Sequence, residues 1–356
     1  MANLRIAHFA PFAPHMAGIY EAARDMVLAD RLAGRTAEFV DTGATVGGVR
    51  QPGQIGAEDA RPSSTLVTVD PLAVEGFDLF VLHDDIGNTF LRRNSVPIVG
   101  VIHGRPLASR DSGGWDFVAD LAARSRVKRL ITLWPRHVPF WAAVVAPEKL
   151  RALPAPLIDQ EQFSATGPAH EFPTGLKGEF NVLVADSWRE IDPWELLHGL
   201  LLAAPRIPGL RVHTYAVEGV GEPKRVPRCW DYVFQAMDRA GIRGEVCDRL
   251  TPASRAMDTV YRACDLVASP HVIATRIIGE ALSCGTAVLA AQGNEFAQHT
   301  CQPGDPPAVA DALVSAWQSW KRYGRGLDGL VAEAARAFAP ATFAERIGLI
   351  YRESLT

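Results

Sequence analysis

The stretch Tyr261–Gln292 carries the residues best suited to chemistry. It predicts a buried strand, a loop, a helix whose first turn is Thr275–Ile277 and, after Gly285, a second buried strand. A helix N-terminus at the carboxyl end of a parallel strand offers unpaired N–H groups and the positive end of the helix dipole, which suits a diphosphate. Glu280, further along this helix, is placed to accept hydrogen bonds from two ribose hydroxyls. Taken alone, a solvated helix glutamate is the commoner interpretation.

The same stretch resembles the C-terminal signature of the retaining GT-B glycosyltransferases of family four, also called glycosyl transferases group 1. The residues that match this signature are Tyr261, Asp265, Pro270, Glu280, Ala281, Gly285 and Val288. The resemblance implies transfer of a sugar from a nucleotide-diphosphate-sugar, linked to UDP or GDP, to an acceptor hydroxyl with retention. It also implies that Glu280 grips the nucleotide ribose.

The resemblance assigns the rest of the donor site. The first helical turn, with Thr275, Arg276 and Ile277, is expected on the donor diphosphate. Leu250, after a short strand, is expected against the base. Gly18 opens the first long helix, where the family has a glycine-rich loop that lets a phosphate approach the backbone closely.

The sequence departs from the family pattern at two places. Val272 stands where the family's E-x7-E element has its first glutamate, and the loop around it is shorter. Asp186 and Ile191 stand where the family has an arginine and a lysine that neutralise the diphosphate. We interpret Arg189 and Arg276 as the replacement cations. Two alternatives stay open. The departures favour a catalytically inactive GT-B-like protein that binds a nucleotide-sugar or a partner. The other alternative is a UDP-sugar epimerase, which shares the fold.

The N-terminal half carries a second group of candidates. His103 ends the apolar strand in PIVGVIH, where family members often have a histidine that contacts the donor sugar. We interpret it as a catalytic residue, although a structural role for a histidine at this position is a real alternative. The candidates for the acceptor side share a place in loops that follow predicted strands: His15, Asp84, Asp85 and Arg105.

Short apolar runs alternate with helical patterns along almost the whole chain, which predicts an α/β protein built on parallel sheets. A break in this alternation at Phe163–Lys177, rich in glycine and proline, predicts an interdomain linker. We expect the GT-B arrangement of two Rossmann-like domains facing across a cleft. Residues 1–165 form the acceptor-side domain and 177–340 the nucleotide-sugar domain, with a last helix at 341–356 packing back on the first.

Several other site types have no pattern in this sequence. There is no D-x-D triplet, so we expect no metal site and a metal-independent reaction. The P-loop, G-x-S-x-G and H-E-x-x-H patterns are absent too. One G-x-G-x-x-G occurs at Gly324, Gly326 and Gly329, but it follows a helical pattern and predicts a connection between helices. We therefore expect no cofactor beyond the substrate nucleotide-sugar.

Composition limits the partners. The 356 residues carry a net charge of −4, which gives no strong signal for nucleic acid. Five cysteines without a C-x-x-C pair argue against a disulfide framework or zinc. No apolar run reaches the length of a transmembrane segment, and the first residues do not resemble a signal peptide, so we expect a cytoplasmic protein. The acceptor stays open among a glycan, a lipid, a small molecule and a modified nucleobase.

Overall fold

The computed structural model describes residues 4–10, 18–42, 44–46, 49–51, 66–67, 74–83, 94–103, 114–153, 157–185, 194–217, 228–248, 256–325 and 328–356. The chain divides into two compact units. The first consists of Met1–Leu157 together with Phe338–Thr356, and the second is Ile158–Ala337.

The first unit is built on a parallel sheet. Its described strands are β1 Arg5–Ala10, β2 Thr36–Asp41, β3 Ala44–Val46, β4 Val49–Gln51, β5 Leu66–Val67, β6 Leu79–Leu82, β7 Ile98–Ile102, β8 Val127–Thr132 and β9 Leu150–Ala152. Seven of these described strands lie in the order β5-β2-β1-β6-β7-β8-β9, and each neighbouring pair is parallel. The pair β3–β4 forms a separate antiparallel hairpin. The order reverses between β1 and β6, which is where open α/β sheets bind ligands.

The second unit repeats this plan. Its described strands are β10 Phe180–Val184, β11 Leu210–Val217, β12 Arg243–Asp248, β13 Leu266–Ala268, β14 Ala287–Ala291 and β15 His299–Cys301. They form a parallel sheet in the order β12-β11-β10-β13-β14-β15. Here the order reverses between β10 and β13, so the segment that follows β13 stands at the corresponding ligand-binding position.

Helices cover the two sheets. In the described residues they are α1 Gly18–Leu32, α2 Gly114–Ala123, α3 Val138–Trp141, α4 Trp194–Ala203, α5 Arg228–Arg239, α6 Met257–Ala263, α7 Arg276–Ser283, α8 Pro306–Tyr323, α9 Asp328–Ala337 and α10 Pro340–Leu355. The central strands β6, β7 and β10 are buried along their whole length. Strands buried on both faces read as continuous apolar runs, which is why the sequence shows little alternation there.

The last helix, α10, belongs to the first unit. Phe343, Ile347 and Tyr351 on α10 are buried in the same core as Ile6 of β1. The guanidinium of Arg35 donates from Nη2 to the backbone carbonyl of Ala344 at 2.8 Å. Burial of three large side chains fixes α10 against this sheet, since each contributes about 1.5–3 kcal/mol.

The units divide between Leu157 and Ile158, ahead of the segment Phe163–Lys177 that the sequence predicts as a linker. That segment belongs to the second unit and is held within it. The Arg262 guanidinium donates to the backbone carbonyls of Ser164 and Pro168, at 3.0 and 2.7 Å. A buried arginine can satisfy several backbone carbonyls at once, and this holds an irregular segment in place.

Candidate functional site

In the second unit, the loop after β13 leads directly into helix α7. Its path is fixed by Asn294, whose Nδ2 donates to the carbonyls of His271 and Ile273 at 3.2 and 3.1 Å. The N-terminus of α7 therefore stands at the carboxyl edge of the sheet, beside the reversal of strand order between β10 and β13. This is the position at which a helix dipole and its first N–H groups serve an anion.

Thr275 occupies the N-cap of α7 with an extended backbone, φ −66° and ψ 165°. An N-cap threonine usually accepts a hydrogen bond from its own helix. Here the side chain makes no capping bond, and its buried Oγ1 has no hydrogen-bond partner within the described part of the chain. A buried hydroxyl without a partner costs about 1–3 kcal/mol, so this oxygen is suited to an external ligand.

Glu280 lies on α7 and is only 8% exposed. Its Oε1 accepts from Nε of Arg276 at 2.9 Å, one helical turn earlier, and its Oε2 accepts from the Tyr261 hydroxyl at 3.1 Å. The two donors hold the carboxylate in one orientation, because a carboxylate offers about four lone-pair sites and these bonds use two. Tyr261 matches the sequence signature, but sequence analysis gave it no role. A buried tyrosine hydroxyl usually has a hydrogen-bond partner, and this rule could have identified Tyr261 as a residue of the site.

Gly285 ends α7 and allows the chain to turn into β14. Its φ is +76°, in the left-handed region that a side chain disfavours. The backbone N–H of Gly285 donates to the Leu282 carbonyl at 3.0 Å, and that of Thr286 donates to the Ala281 carbonyl at 2.9 Å. This closure explains why the motif has glycine five residues after Glu280.

In the first unit, His103 follows β7 and is partly buried. Its Nε2 lies 2.9 Å from Nδ1 of His83, which follows β6. The Nε2 of His83 lies 3.1 Å from Nδ1 of His8, within β1. Since β1, β6 and β7 are neighbours in the sheet, the three rings form a continuous row across its carboxyl edge. We call these rings, with Asp30, the histidine row.

Asp30 on α1 ends the row. Its Oδ2 lies 2.9 Å from Nε2 of His8 and accepts from the Tyr351 hydroxyl at 3.1 Å. Its Oδ1 accepts from Nε of Arg35 at 2.9 Å. Asp30 and His8 are fully buried. Sequence analysis considered His103 alone and missed the other members of the row.

Burial decides the charge of these groups. It lowers the pKa of His103 to about 4, because the protonated ring loses its hydration. The pKa of His83 is lowered well below its usual value by burial and by the neighbouring His103 and His8. Burial and the adjacent Asp30 raise the pKa of Tyr351 well above its usual value. At neutral pH, His103 and His83 are therefore uncharged and Tyr351 is a hydrogen-bond donor.

Six of the sequence-predicted site residues lie in the described part of the chain. Thr275, Arg276, Ile277 and Glu280 lie together on α7 or at its N-cap, whereas His103 lies in the first unit. Gly18 is the first residue of α1. The remaining candidates lie outside the described residues: His15, Asp84, Asp85, Arg105, Arg189 and Leu250.

The described residues hold neither a metal-binding cluster nor a membrane-spanning helix. They contain no group of three or more histidine, cysteine, aspartate or glutamate side chains arranged to hold a metal ion. None of the helices in the described ranges combines the length and the apolar character needed to cross a membrane.

Comparison with known proteins identifies the fold. No protein-family model and no curated protein sequence matches this chain. HepE of Anabaena, solved with UDP-glucose, is similar at a TM-score of 0.73 and 16% identity, over 98% of this chain and 99% of that one. Sucrose-phosphate synthase of Thermosynechococcus elongatus gives a TM-score of 0.66 at 15% identity and 98% coverage of both chains. A glycosyltransferase of Rickettsia africae gives 0.67 at 11% identity and 99% coverage of both chains.

This chain has the GT-B fold. The likeness extends over nearly the full length of each compared chain. Identities of this size establish the fold and leave the activity to be argued from the residues of the site.

Proposed function

We propose that this chain is a glycosyltransferase. It transfers a sugar from a UDP- or GDP-linked donor to an acceptor hydroxyl, with retention and without a metal ion. HepE, which has a similar fold, was solved with UDP-glucose bound. The residues that support the proposal here are those at the N-terminal end of α7 and His103.

The observation that carries the proposal is the burial and fixed orientation of the Glu280 carboxylate. Its carboxylate is nearly buried and fixed by Tyr261 and Arg276, at the reversal of strand order in a GT-B fold. Burying a carboxylate is costly, and the bonds from Tyr261 and Arg276 offset part of that cost while they fix its orientation. We assign two neighbouring ribose hydroxyls to it, since hydroxyls donate hydrogen bonds and a carboxylate accepts them.

The diphosphate is assigned to the N-terminus of α7. Its first N–H groups, the Thr275 hydroxyl and the guanidinium of Arg276 all offer donors there, and Arg189 is proposed as a second cation. Transfer breaks the bond between the sugar C1 and the diphosphate oxygen, so negative charge grows on the leaving group. Positioned donors stabilise that charge most in the transition state. The sequence has no D-x-D triplet, which motivates the choice of protein groups over a metal ion.

His103 is assigned to the donor sugar. Its ring is uncharged at neutral pH, because burial lowers its pKa to about 4. A neutral imidazole has one unprotonated nitrogen that accepts a hydrogen bond, which suits a sugar hydroxyl. The acceptor hydroxyl then attacks C1 from the face that the diphosphate leaves, and its proton passes to the departing phosphate oxygen.

A thermal-shift panel of UDP-, GDP- and ADP-sugars tests the proposal. A ligand that binds the folded state stabilises it by about 2.7 kcal/mol at a concentration of 100 times Kd. We expect a UDP- or GDP-sugar to raise the melting temperature in the parent and much less in Glu280→Ala. If no nucleotide-sugar shifts the parent, the proposal is wrong.

A second candidate is a protein that binds a nucleotide-sugar without transferring the sugar. The observation in its favour is Val272, which is 41% exposed at the position where the related signature has a glutamate. An apolar side chain there cannot hydrogen-bond to a hexose. Donor binding without turnover, across a panel of glycan, lipid and small-molecule acceptors, would favour this candidate.

A further inference from the structure

The hydrogen bonds of the histidine row all run from donor to acceptor in one direction, and Asp30 determines that direction. An aspartate is ionised at neutral pH and only accepts hydrogen bonds, so His8 must carry its proton on Nε2, 2.9 Å from Oδ2. Arg35 already balances the charge of Asp30, so a second positive charge on His8 would be buried without a counter-charge of its own. We therefore place a single proton on His8, which leaves its Nδ1 as an acceptor. If Nε2 of His8 carried no proton, its lone pair would face a lone pair of Asp30 Oδ2 at 2.9 Å in a fully buried position.

The choice at His8 passes along the row. With Nδ1 of His8 accepting, the Nε2–H of His83 donates to it at 3.1 Å. The Nδ1 of His83 then accepts from the Nε2–H of His103 at 2.9 Å. The low pKa of His83 and His103 keeps both rings neutral, so neither has a second proton that would break this order. His103 is left with an unprotonated Nδ1 outside the row.

We propose that His8, His83 and Asp30 are positioning residues that fix His103 as its Nε2–H tautomer, so that His103 presents an acceptor nitrogen to a sugar hydroxyl. The tautomer follows from the distances along the row and from the neutral state of its rings, and its use on a sugar rests on the glycosyltransferase function proposed above. Arg35 and Tyr351 are the other charged or titratable groups on Asp30, and both donate to it.

Replacing one carboxylate oxygen of Asp30 by an amide nitrogen tests the donor-to-acceptor direction of the row. In Asp30→Asn, the atom facing Arg35 must remain an acceptor, because the guanidinium only donates. The amide nitrogen is therefore turned toward His8 and donates to its Nε2. Each ring along the row then changes tautomer, and His103 becomes an Nδ1–H ring whose Nε2 accepts from His83. A change of one atom at the far end of the row reverses the nitrogen offered to the substrate.

The measurement is ¹⁵N NMR of histidine-labelled protein without ligand at pH 7.5, where protonated and bare ring nitrogens have well-separated shifts. We expect His103 to show one tautomer, Nε2–H, in the parent. Asp30→Asn should make Nδ1–H the major form. Tyr351→Phe is the matched control: it removes one donor to Asp30 and should leave the His103 tautomer unchanged.

An unchanged Nε2–H tautomer in a folded Asp30→Asn protein, or a mixture of tautomers in the parent, would overturn the proposal. If Asp30→Asn does not fold, His8→Phe separates Asp30 from His83, and a second His103 tautomer should then appear. A single unchanged tautomer in His8→Phe would also overturn it. The tautomer is read without substrate, so failure of the row is distinguished from failure of donor binding in the thermal-shift panel.

Discussion

At Glu280, both carboxylate oxygens already accept a hydrogen bond before any ligand is considered. Arg276 and Tyr261 supply these bonds, one from the same helix and one from α6. Two fixed donors restrict the rotamers of the side chain, so less conformational entropy is lost when a ribose binds. The residue-scale predictions concern this carboxylate and the cations around it.

Replacing Glu280 by alanine should weaken nucleotide binding ten- to a hundredfold. A hydrogen bond to a charged group contributes about 1.5–3 kcal/mol, and about 1.4 kcal/mol corresponds to a factor of ten in Kd. Isothermal titration with the nucleotide that gives the largest thermal shift measures the effect. Tyr261→Phe is the control, because it removes one orienting bond and keeps the carboxylate; its Kd should rise by less than that of Glu280→Ala. An unchanged affinity in folded Glu280→Ala would refute the ribose assignment.

Removing both proposed cations should lower turnover by about two orders of magnitude or more, by analogy with the loss of one preorganised donor. The double variant is Arg189→Ala/Arg276→Ala, and kcat at saturating donor is the measurement. Arg276→Lys keeps a positive charge without the planar fork of donors, so its kcat should lie between the parent and the double variant. Full activity in the double variant, or loss of parent activity in EDTA, would contradict a metal-independent mechanism that uses these arginines.

At the scale of elements, the sheets place the candidate residues by their period of two. Along β1, Ile6 and Ala10 belong to the core that also includes helix residues Tyr20 and Tyr351. His8 occupies the same alternating series, which puts its ring on the side of α1 and α10. The partners of His8 are Asp30 on α1 and His83 after β6, and both are distant from it in sequence.

The donor helix was more predictable than the histidine row because its residues are local. Thr275, Arg276 and Glu280 lie within six positions, so a helical period alone places them on one helix end. Alternating strands and helices predicted an α/β protein on parallel sheets, and the resemblance to family-four glycosyltransferases implied the GT-B arrangement. The parallel sheets and the similar structures confirm this fold. The roles assigned to individual site residues stay predictions.

Packing between α4 and α8 gives a prediction for this scale. A Cβ at Gly199 in α4 would lie 2.3 Å from Cγ1 of Val309 and 3.0 Å from the Pro306 carbonyl oxygen. Gly199→Ala should therefore destabilise the second unit by about 1–3 kcal/mol through overpacking. The matched control is Gly329→Ala in α9, where a Cβ meets nothing within 4 Å and alanine favours the helix. Urea denaturation of both variants should show shifts of opposite sign; equal shifts would contradict the close approach of α4 and α8.

At the scale of the whole molecule, buried neutral histidines link stability to pH in both units. His83 and His103 lie in the first unit and His213 in the second. Burial lowers the pKa of His213 to about 3, with its ring stacked on Phe172 at 3.7 Å between centroids. Each of these rings is held neutral by the fold and becomes protonated when the chain unfolds in weak acid.

Stability should therefore fall as the pH drops below about 6.5. Between that value and the folded-state pKa of about 4 for His103 or about 3 for His213, the unfolded chain binds more protons than the folded one. At pH 5 this costs about 2 kcal/mol for each histidine. The apparent melting temperature should be lower at pH 5 than at pH 8 by on the order of 10 °C. His213→Asn should reduce the pH dependence, whereas His198→Asn, at an exposed position on α4, should keep the slope of the parent. A melting temperature that stays constant from pH 8 to pH 5 would show that these rings are not held neutral by the fold.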